Sequence, residues 1–271
     1  MQTETVDFES IKQRQRTAWG TGDYPRVGNT LQIIAERLVE AAGVRAGQRV
    51  LDVASGQGNA ALAAARRFAE STGVDYVPDM LDQGRARAAA EYLDVTFTEG
   101  DAERLPAPDD SFDVTLSTIG VMFAPDQERA AAELVRVTRP GGTIGLANWT
   151  PQGLVGQLFG TIGRYAPPPA GVRSPMLWGT EERLAELFGD TVEWVSLTRR
   201  TFDFCYLSPE HFSEWFRLYY GPITRLAGSL DDATAARLAA DLADVPRPFN
   251  RAEDGTVLAG GEYLEAIGVR R

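Results

Sequence analysis

One cysteine, one histidine and one lysine are all that the 271 residues supply of those three types. A lone Cys205 excludes a disulfide framework and a thiolate metal site, and its expected place is a buried apolar position. With His211 as the only imidazole there is no histidine-based metal centre, and no spacing of carboxylates stands in for one, so no metal is expected. Apolar runs are short, and none approaches the ~20 residues of a membrane-spanning helix. The opening residues, MQTETVDFESIKQRQR, carry no apolar core of the secretory kind, so the expected location is the cytoplasm. Positive charge is also scarce in net terms. The formal net charge is −11, which argues against a protein that grips a nucleic-acid backbone. The arginines beside the single Lys12 are scattered among alanines and glutamates, as on a solvated helix face, and the arginine preference reads as lineage bias. A G-x-x-x-x-G-K-[ST] phosphate loop is missing as well.

What is present is an ordinary globular composition, 44% hydrophobic and 24% charged, at a length that suits one large domain or two small ones. Residues 29–42 carry apolar side chains at helical spacing and stop at Gly43. Strands and helices then alternate. Strands are expected at 49–54, 71–76, 95–98, 112–117 and 142–148, and helices at 59–69, 79–91 and 126–137. That rhythm predicts an α/β fold with a mostly parallel sheet and helices on both faces. Beyond residue 150 the pattern loosens to a short helix at 180–188, a strand at 192–200, helices at 209–220 and 231–242, and a last strand at about 256–269. The expected organisation is a single domain over 1–271. Its parts are an N-terminal helical segment (1–46), a sheet core (47–206 and 254–271) and a helical insertion (207–253).

The stretch LDVASGQGNAAL holds a strand, a glycine turn and a helix start. Gly56-Gln57-Gly58-Asn59-Ala60-Ala61 fits G-x-G-x-x-G/A, which taken alone also fits a dinucleotide site in an NAD(P)-dependent oxidoreductase. Asp52 points elsewhere, because a carboxylate at the mouth of the turn repels a pyrophosphate and attracts an ammonium or sulfonium. Asp75 at the end of the second strand suits a ribose diol, and Asp101 after the third suits an exocyclic amine. Three carboxylates at the C-terminal ends of successive strands imply an adenosine with a cationic tail, a description that S-adenosylmethionine meets.

Four stretches then resemble a known family in order and spacing: VLDVASGQGNAAL, TGVDYVPDML, GDAERLPAPDDSFDVTLS and ELVRVTRPGGTIGL. Together they make the chain similar to the class I S-adenosylmethionine-dependent methyltransferases of the UbiE-like small-molecule type, over residues 47–148. The resemblance implies a Rossmann-like seven-stranded sheet of order 3-2-1-4-5-7-6 with the seventh strand antiparallel. It places Asp52, Ala54, Gly56 and Gly58 around the methionine part of the cofactor and Asp75 on the ribose hydroxyls. Tyr76 and Met80 fall near ribose and adenine, Asp101 and Ala102 at the adenine edge, and Ser117 beside the methionine moiety. Ala54 departs from the glycine common in the family. The N-terminal segment with Trp19 and Tyr24 is similar to a lid, although a helix cap with aromatic packing reads equally well. A protein that binds the cofactor without methylating, such as a cyclase or decarboxylase, keeps the same motifs.

Methyl transfer to a hydroxyl takes a base within hydrogen-bond reach, whereas an anion or neutral amine takes none. His211 is the candidate base, set against a plain helix-cap histidine. Met122, Phe123, Trp149, Trp178, Tyr219 and Tyr220 are candidates for the wall of an acceptor pocket, set against ordinary core packing. The expected partner is a small organic metabolite methylated on oxygen, nitrogen or carbon, with S-adenosylhomocysteine as the other product and no nucleic acid or membrane involved.

Overall fold

The computed structural model describes residues 6–271. Seven strands form one sheet: β1 (Arg49–Val53), β2 (Glu70–Asp75), β3 (Val95–Glu99), β4 (Phe112–Thr118), β5 (Thr138–Trp149), β6 (Val192–Tyr206) and β7 (Val257–Arg270). Their order is β3-β2-β1-β4-β5-β7-β6. The pairings from β3 across to β5 are parallel, and β7 runs antiparallel to both β5 and β6. This is the sheet that the family resemblance implies. The sheet starts at β1, winds outward to β3, then returns to place β4 on the other side of β1. Strand order therefore reverses between β1 and β4, and the crevice at their C-terminal ends is where such sheets bind ligands.

The helices between β1 and β3 are α4 (Asn59–Ala65) and α5 (Pro78–Ala90), and α6 (Gln127–Val137) joins β4 to β5. Right-handed crossovers on either side of the reversal put the first two on one face and α6 on the other. Before the sheet come α1 (Phe8–Trp19), α2 (Tyr24–Thr30) and α3 (Gln32–Ala41). Only α3 is apolar on a full stripe, with Ile34, Ala35, Leu38 and Val39 buried. By contrast α1 buries only Ile11 and is started by Asp7, whose carboxylate accepts from the Ser10 amide. After β5 come α7 (Leu154–Tyr165) and α8 (Glu181–Phe188), the latter capped by Thr180. Between β6 and β7 lie α9 (Pro209–Tyr219), α10 (Gly221–Ser229) and α11 (Asp232–Asp244). Among the described residues no helix is long and apolar enough to cross a membrane.

Cys205 corrects one expectation: it is exposed, not buried. Strand β6 continues past residue 200 to Tyr206, and side chains alternate along it. Phe204 takes the buried face at 4% exposure, so its neighbour Cys205 faces out. Two elements escape sequence reading altogether. Helix α7 carries glycines at 156, 160 and 163, which weaken its helical signal. Gly156 is required by packing, since a Cβ there would lie 2.0 Å from the Pro151 carbonyl oxygen. Helix α10 is short and opens on Gly221-Pro222.

Candidate active site

The crevice starts from the turn after β1. Ala54 (φ 53°), Gly56 (φ 53°) and Gly58 (φ 83°) are all left-handed, which reverses the chain sharply into α4. The two glycines serve different ends. A Cβ on Gly56 would meet nothing closer than 3.7 Å, so this residue leaves open space above the turn. A Cβ on Gly58 would lie 2.6 Å from the Phe97 ring, as would nearly those on Gly73 (2.9 Å) and Gly84 (2.7 Å). Gly58 is thus one of three glycines that make room for Phe97, and it does not line the crevice. The floor is equally tight, because a Cβ on Gly120 would stand 2.2 Å from the Ala54 carbonyl oxygen.

Asp52 is 2% exposed, and its Oδ2 accepts from the Ala61 amide at 2.9 Å. The carboxylate therefore occupies amides at the start of α4 that a dinucleotide fold offers to a pyrophosphate. Burial raises Asp52 to about 7, held back by the amides of Ala61 and Ala60 and pushed further by the Asp75 charge. Asp75 is buried as well. Its Oδ2 accepts from Gly56 N at 2.8 Å and its Oδ1 from Val77 N at 2.9 Å, which ties the glycine turn to the end of β2. Burial raises its pKa too, against the pull of these backbone hydrogen bonds.

The far end of the crevice is closed by α1. Lys12 Nζ lies 2.6 Å from Asp101 Oδ2 and 3.0 Å from Glu103 Oε2. Burial lowers the Lys12 ammonium, but hydrogen bonds to Asp101 and Glu103 more than reverse this and hold it protonated. One turn further on, Arg16 pairs with Glu99 at 2.6 Å, and Gln15 donates to the Phe123 carbonyl at 3.1 Å. Helix α2 is pinned to the turn itself, with Gln57 Nε2 donating to Asn29 Oδ1 and Asn59 Nδ2 to the Gly28 carbonyl.

Together these elements frame one crevice. It brings together Trp19, Tyr24, Asp52, Ala54, Gly56, Asp75, Tyr76, Met80, Asp101 and Ala102, all expected from sequence. Gly58 and Ser117 stay outside it. Ser117 is fully buried beneath, its hydroxyl donating to the Val53 carbonyl and accepting from Val121 N. Sequence reading missed Lys12, Gln15 and Glu103, whose partners lie far away along the chain. The charged residues on the wall are Asp52, Asp75, Asp101, Glu103 and Lys12, a net negative set that suits a cation. Among the described residues no cluster of histidine, cysteine or carboxylate side chains is placed to hold a metal.

A second cavity adjoins the first and shares Trp19, Tyr24, Ile119 and Phe123 with it. Of the acceptor-pocket candidates, Phe123, Trp149 and Tyr220 line this cavity, while Met122 and Trp178 are fully buried core. Tyr219 lines neither cavity; its ring packs under the Arg26 guanidinium at 4.9 Å. His211 also lines neither. It sits in the first turn of α9, where Nδ1 accepts from the Leu207 amide at 3.2 Å, and its ring packs on Tyr206 and Trp215.

A doubly wound sheet whose switch-point crevice is acidic, and whose first helix amides are already taken by a carboxylate, defines a nucleoside site for a cationic ligand. Comparison with known proteins agrees. Residues 50–142 match the family model described as a methyltransferase domain. The protein Rv1403c of Mycobacterium tuberculosis is 38% identical over 252 residues, 91% of this chain and 92% of that one. The demethylmenaquinone methyltransferase of Deinococcus radiodurans is 41% identical over 128 residues, 46% of this chain and 53% of that enzyme. Among solved structures, the YcgJ protein of a Bacillus species shares the fold at 21% identity and a TM-score of 0.58, covering 90% of this chain and 99% of that one. The chain belongs to the class I S-adenosylmethionine-dependent methyltransferases. It is an enzyme of methyl transfer, and S-adenosylmethionine is its cofactor.

Proposed function

We propose that the protein methylates an oxygen, nitrogen or carbon atom of a small organic metabolite, with the cofactor held in the acidic crevice. The single observation that supports this most directly is Asp52 on the α4 amides, which turns a phosphate-type turn into one for a cation. When bound, the cofactor supplies an electrophilic methyl group on a sulfonium. The chain's own residues bind, orient and exclude water. Asp75 keeps lone pairs free for a ribose diol after accepting two amides. Asp52 faces the ammonium end, Asp101 and Ala102 the adenine edge, and Tyr76 and Met80 pack between them. Trp19 and Tyr24 come from the N-terminal helices and cover the crevice as a lid, while Gly58 and Ser117 shape the turn from behind.

Calorimetric titration with S-adenosylhomocysteine, with NADH in parallel, tests this reading. Micromolar binding of the first and none of the second is the expected result. Binding of NADH instead, or of neither by the folded protein, refutes it.

The lid carries its own prediction. Lys12→Met keeps the aliphatic stem and removes the ammonium that joins α1 to Asp101 and Glu103. A partly buried bridge to two carboxylates is worth about 1–1.5 kcal/mol, so S-adenosylhomocysteine is expected to dissociate roughly five to ten times faster. Stopped-flow tryptophan fluorescence reads this rate. An unchanged rate means that α1 does not retain the cofactor.

A further inference from the structure

The helical insertion meets the N-terminal lid at a corner. Helix α9 ends at Tyr219 and α10 begins at Gly221, so a single residue, Tyr220, turns the chain between them. Against this corner lie the end of α1 and the loop 20–23 that leads into α2. The approach is backbone to backbone. A Cβ on Gly221 would stand 2.1 Å from the Ala18 carbonyl oxygen and 2.2 Å from that of Thr21. From the other side, a Cβ on Gly22 (φ 89°) would come within 2.9 Å of the Tyr219 carbonyl oxygen, and that oxygen accepts from the Asp23 amide at 3.2 Å. Beside this contact the Trp19 ring stands 5.3 Å from Tyr220, edge to face, and Arg26, paired with Asp23 at 2.7 Å, covers the Tyr219 ring. Gly221 itself lines neither cavity.

We propose that Gly221 is a positioning residue for the lid: its bare backbone seats the C-terminal end of α1, and through Ala18 and Thr21 it sets how Trp19 closes over the cofactor, a role that rests on the methyltransferase reading above. Helix α1 needs such a seat. It buries only Ile11, yet it carries Lys12, Gln15 and Trp19 onto the crevice wall. Its charge pairs at the sheet, Lys12 with Asp101 and Glu103 and Arg16 with Glu99, hold it down but are long, flexible side chains that fix no exact position. Packed backbones are stiffer, since no side chain can swing aside. Alanine at 221 demands roughly an ångström of movement, because both opposing atoms are carbonyl oxygens of the main chain. The corner is the firmer partner: Tyr220 is 6% exposed and Ile223 not at all. Helix α1 is therefore the part that lifts. A helix moves as a rod, and Lys12 lies six residues, about 9 Å, from Ala18, so the lift also draws Lys12 from its carboxylates. The insertion thus governs cofactor retention through a residue outside the crevice.

Stopped-flow tryptophan fluorescence of S-adenosylhomocysteine release, with amide hydrogen exchange on the same samples, tests the seat. Gly221→Ala is expected to release the compound about tenfold faster and to speed exchange in α1 while exchange in the sheet strands stays native. Adding Lys12→Met to it should speed release by less than about twofold more, because the lifted helix has already given up that bridge, whereas independent lesions multiply. Arg26→Ala, a change at the half-exposed rim of the same corner, should speed release about threefold and serves if Gly221→Ala does not fold. In the native protein S-adenosylhomocysteine should also slow exchange in α10, although Gly221–Ser229 lines neither cavity. Native-rate release from a folded Gly221→Ala protein, or effects of Gly221→Ala and Lys12→Met that multiply, overturns the seat. So does native-rate release from Arg26→Ala together with α10 exchange indifferent to the compound. Failure of S-adenosylhomocysteine to bind the native protein refutes the methyltransferase reading instead, so the two failures are distinguishable.

Discussion

Asp75→Asn is expected to weaken S-adenosylhomocysteine binding about a hundredfold while the free protein melts within a few degrees of the native one. The native carboxylate accepts from Gly56 N and Val77 N, one on each oxygen. Lone pairs remain on both oxygens, and a ribose diol uses them as a charge-assisted pair. Asparagine keeps one acceptor oxygen and turns the other into a donor, which meets either an amide or a hydroxyl with the wrong polarity. The charge that strengthened both ribose bonds is lost as well. The fold suffers less, because burial already makes that charge unfavourable and raises the Asp75 pKa. Losing an amide bond and losing a buried charge therefore offset in the free protein, whereas in the complex both effects weaken binding. Calorimetry and a thermal melt of the same sample separate them. Near-native affinity in the variant would remove Asp75 from the ribose.

Much of the sheet is legible in sequence because its signals are local. The strands from 49 to 117 are short apolar runs closed by turn residues, and α6 after them starts at a capping residue, Asp126, whose carboxylate accepts from Arg129 N. The glycine turn and the acids at positions 52, 75 and 101 sit at strand ends, so their convergence follows from topology. What stays illegible depends on distance along the chain. Lys12 reads as a compositional oddity until α1 lays it on Asp101 and Glu103. Phe97 explains Gly58, and nothing near the glycine turn announces that ring. The second cavity draws Val27, Leu31, Phe159, Phe204 and Phe216 from three helices, the junction of α2 and α3, and a strand. Their spacing is that of any core residue. Phe159 lies in a glycine-rich helix with a weak signal, and Phe204 lies beyond the arginine pair at 199 and 200, where the local strand signal ends.

Raising the pH from 6 to 8 is expected to strengthen cofactor binding about tenfold, after which the dependence flattens. The cause is Asp52. In the free protein burial places it at about 7, so it is mostly protonated at pH 6 and mostly ionised at pH 8. The cofactor's ammonium favours the ionised form, and binding below pH 7 therefore expels a proton. The sign for stability is the reverse. The folded pKa lies above the ordinary value of 3.8, so the stability linked to Asp52 is fully present below pH 4 and lost as pH rises through 7. Carboxylates held low by arginine, Asp113 beside Arg139 and Glu128 beside Arg183, finish titrating at more acid pH, whereas burial raises Asp75 and Glu103 on the same wall, so the Asp52→Asn variant is what isolates the Asp52 contribution. The free protein should thus melt at a lower temperature at pH 8 than at pH 6, and saturating S-adenosylhomocysteine should raise the melting point more at pH 8. Titrations at pH 7 in buffers of different ionisation heat count the proton released. Asp52→Asn should remove both the proton release and the pH dependence of affinity, and if it removes neither, the group that titrates against the ligand is not Asp52.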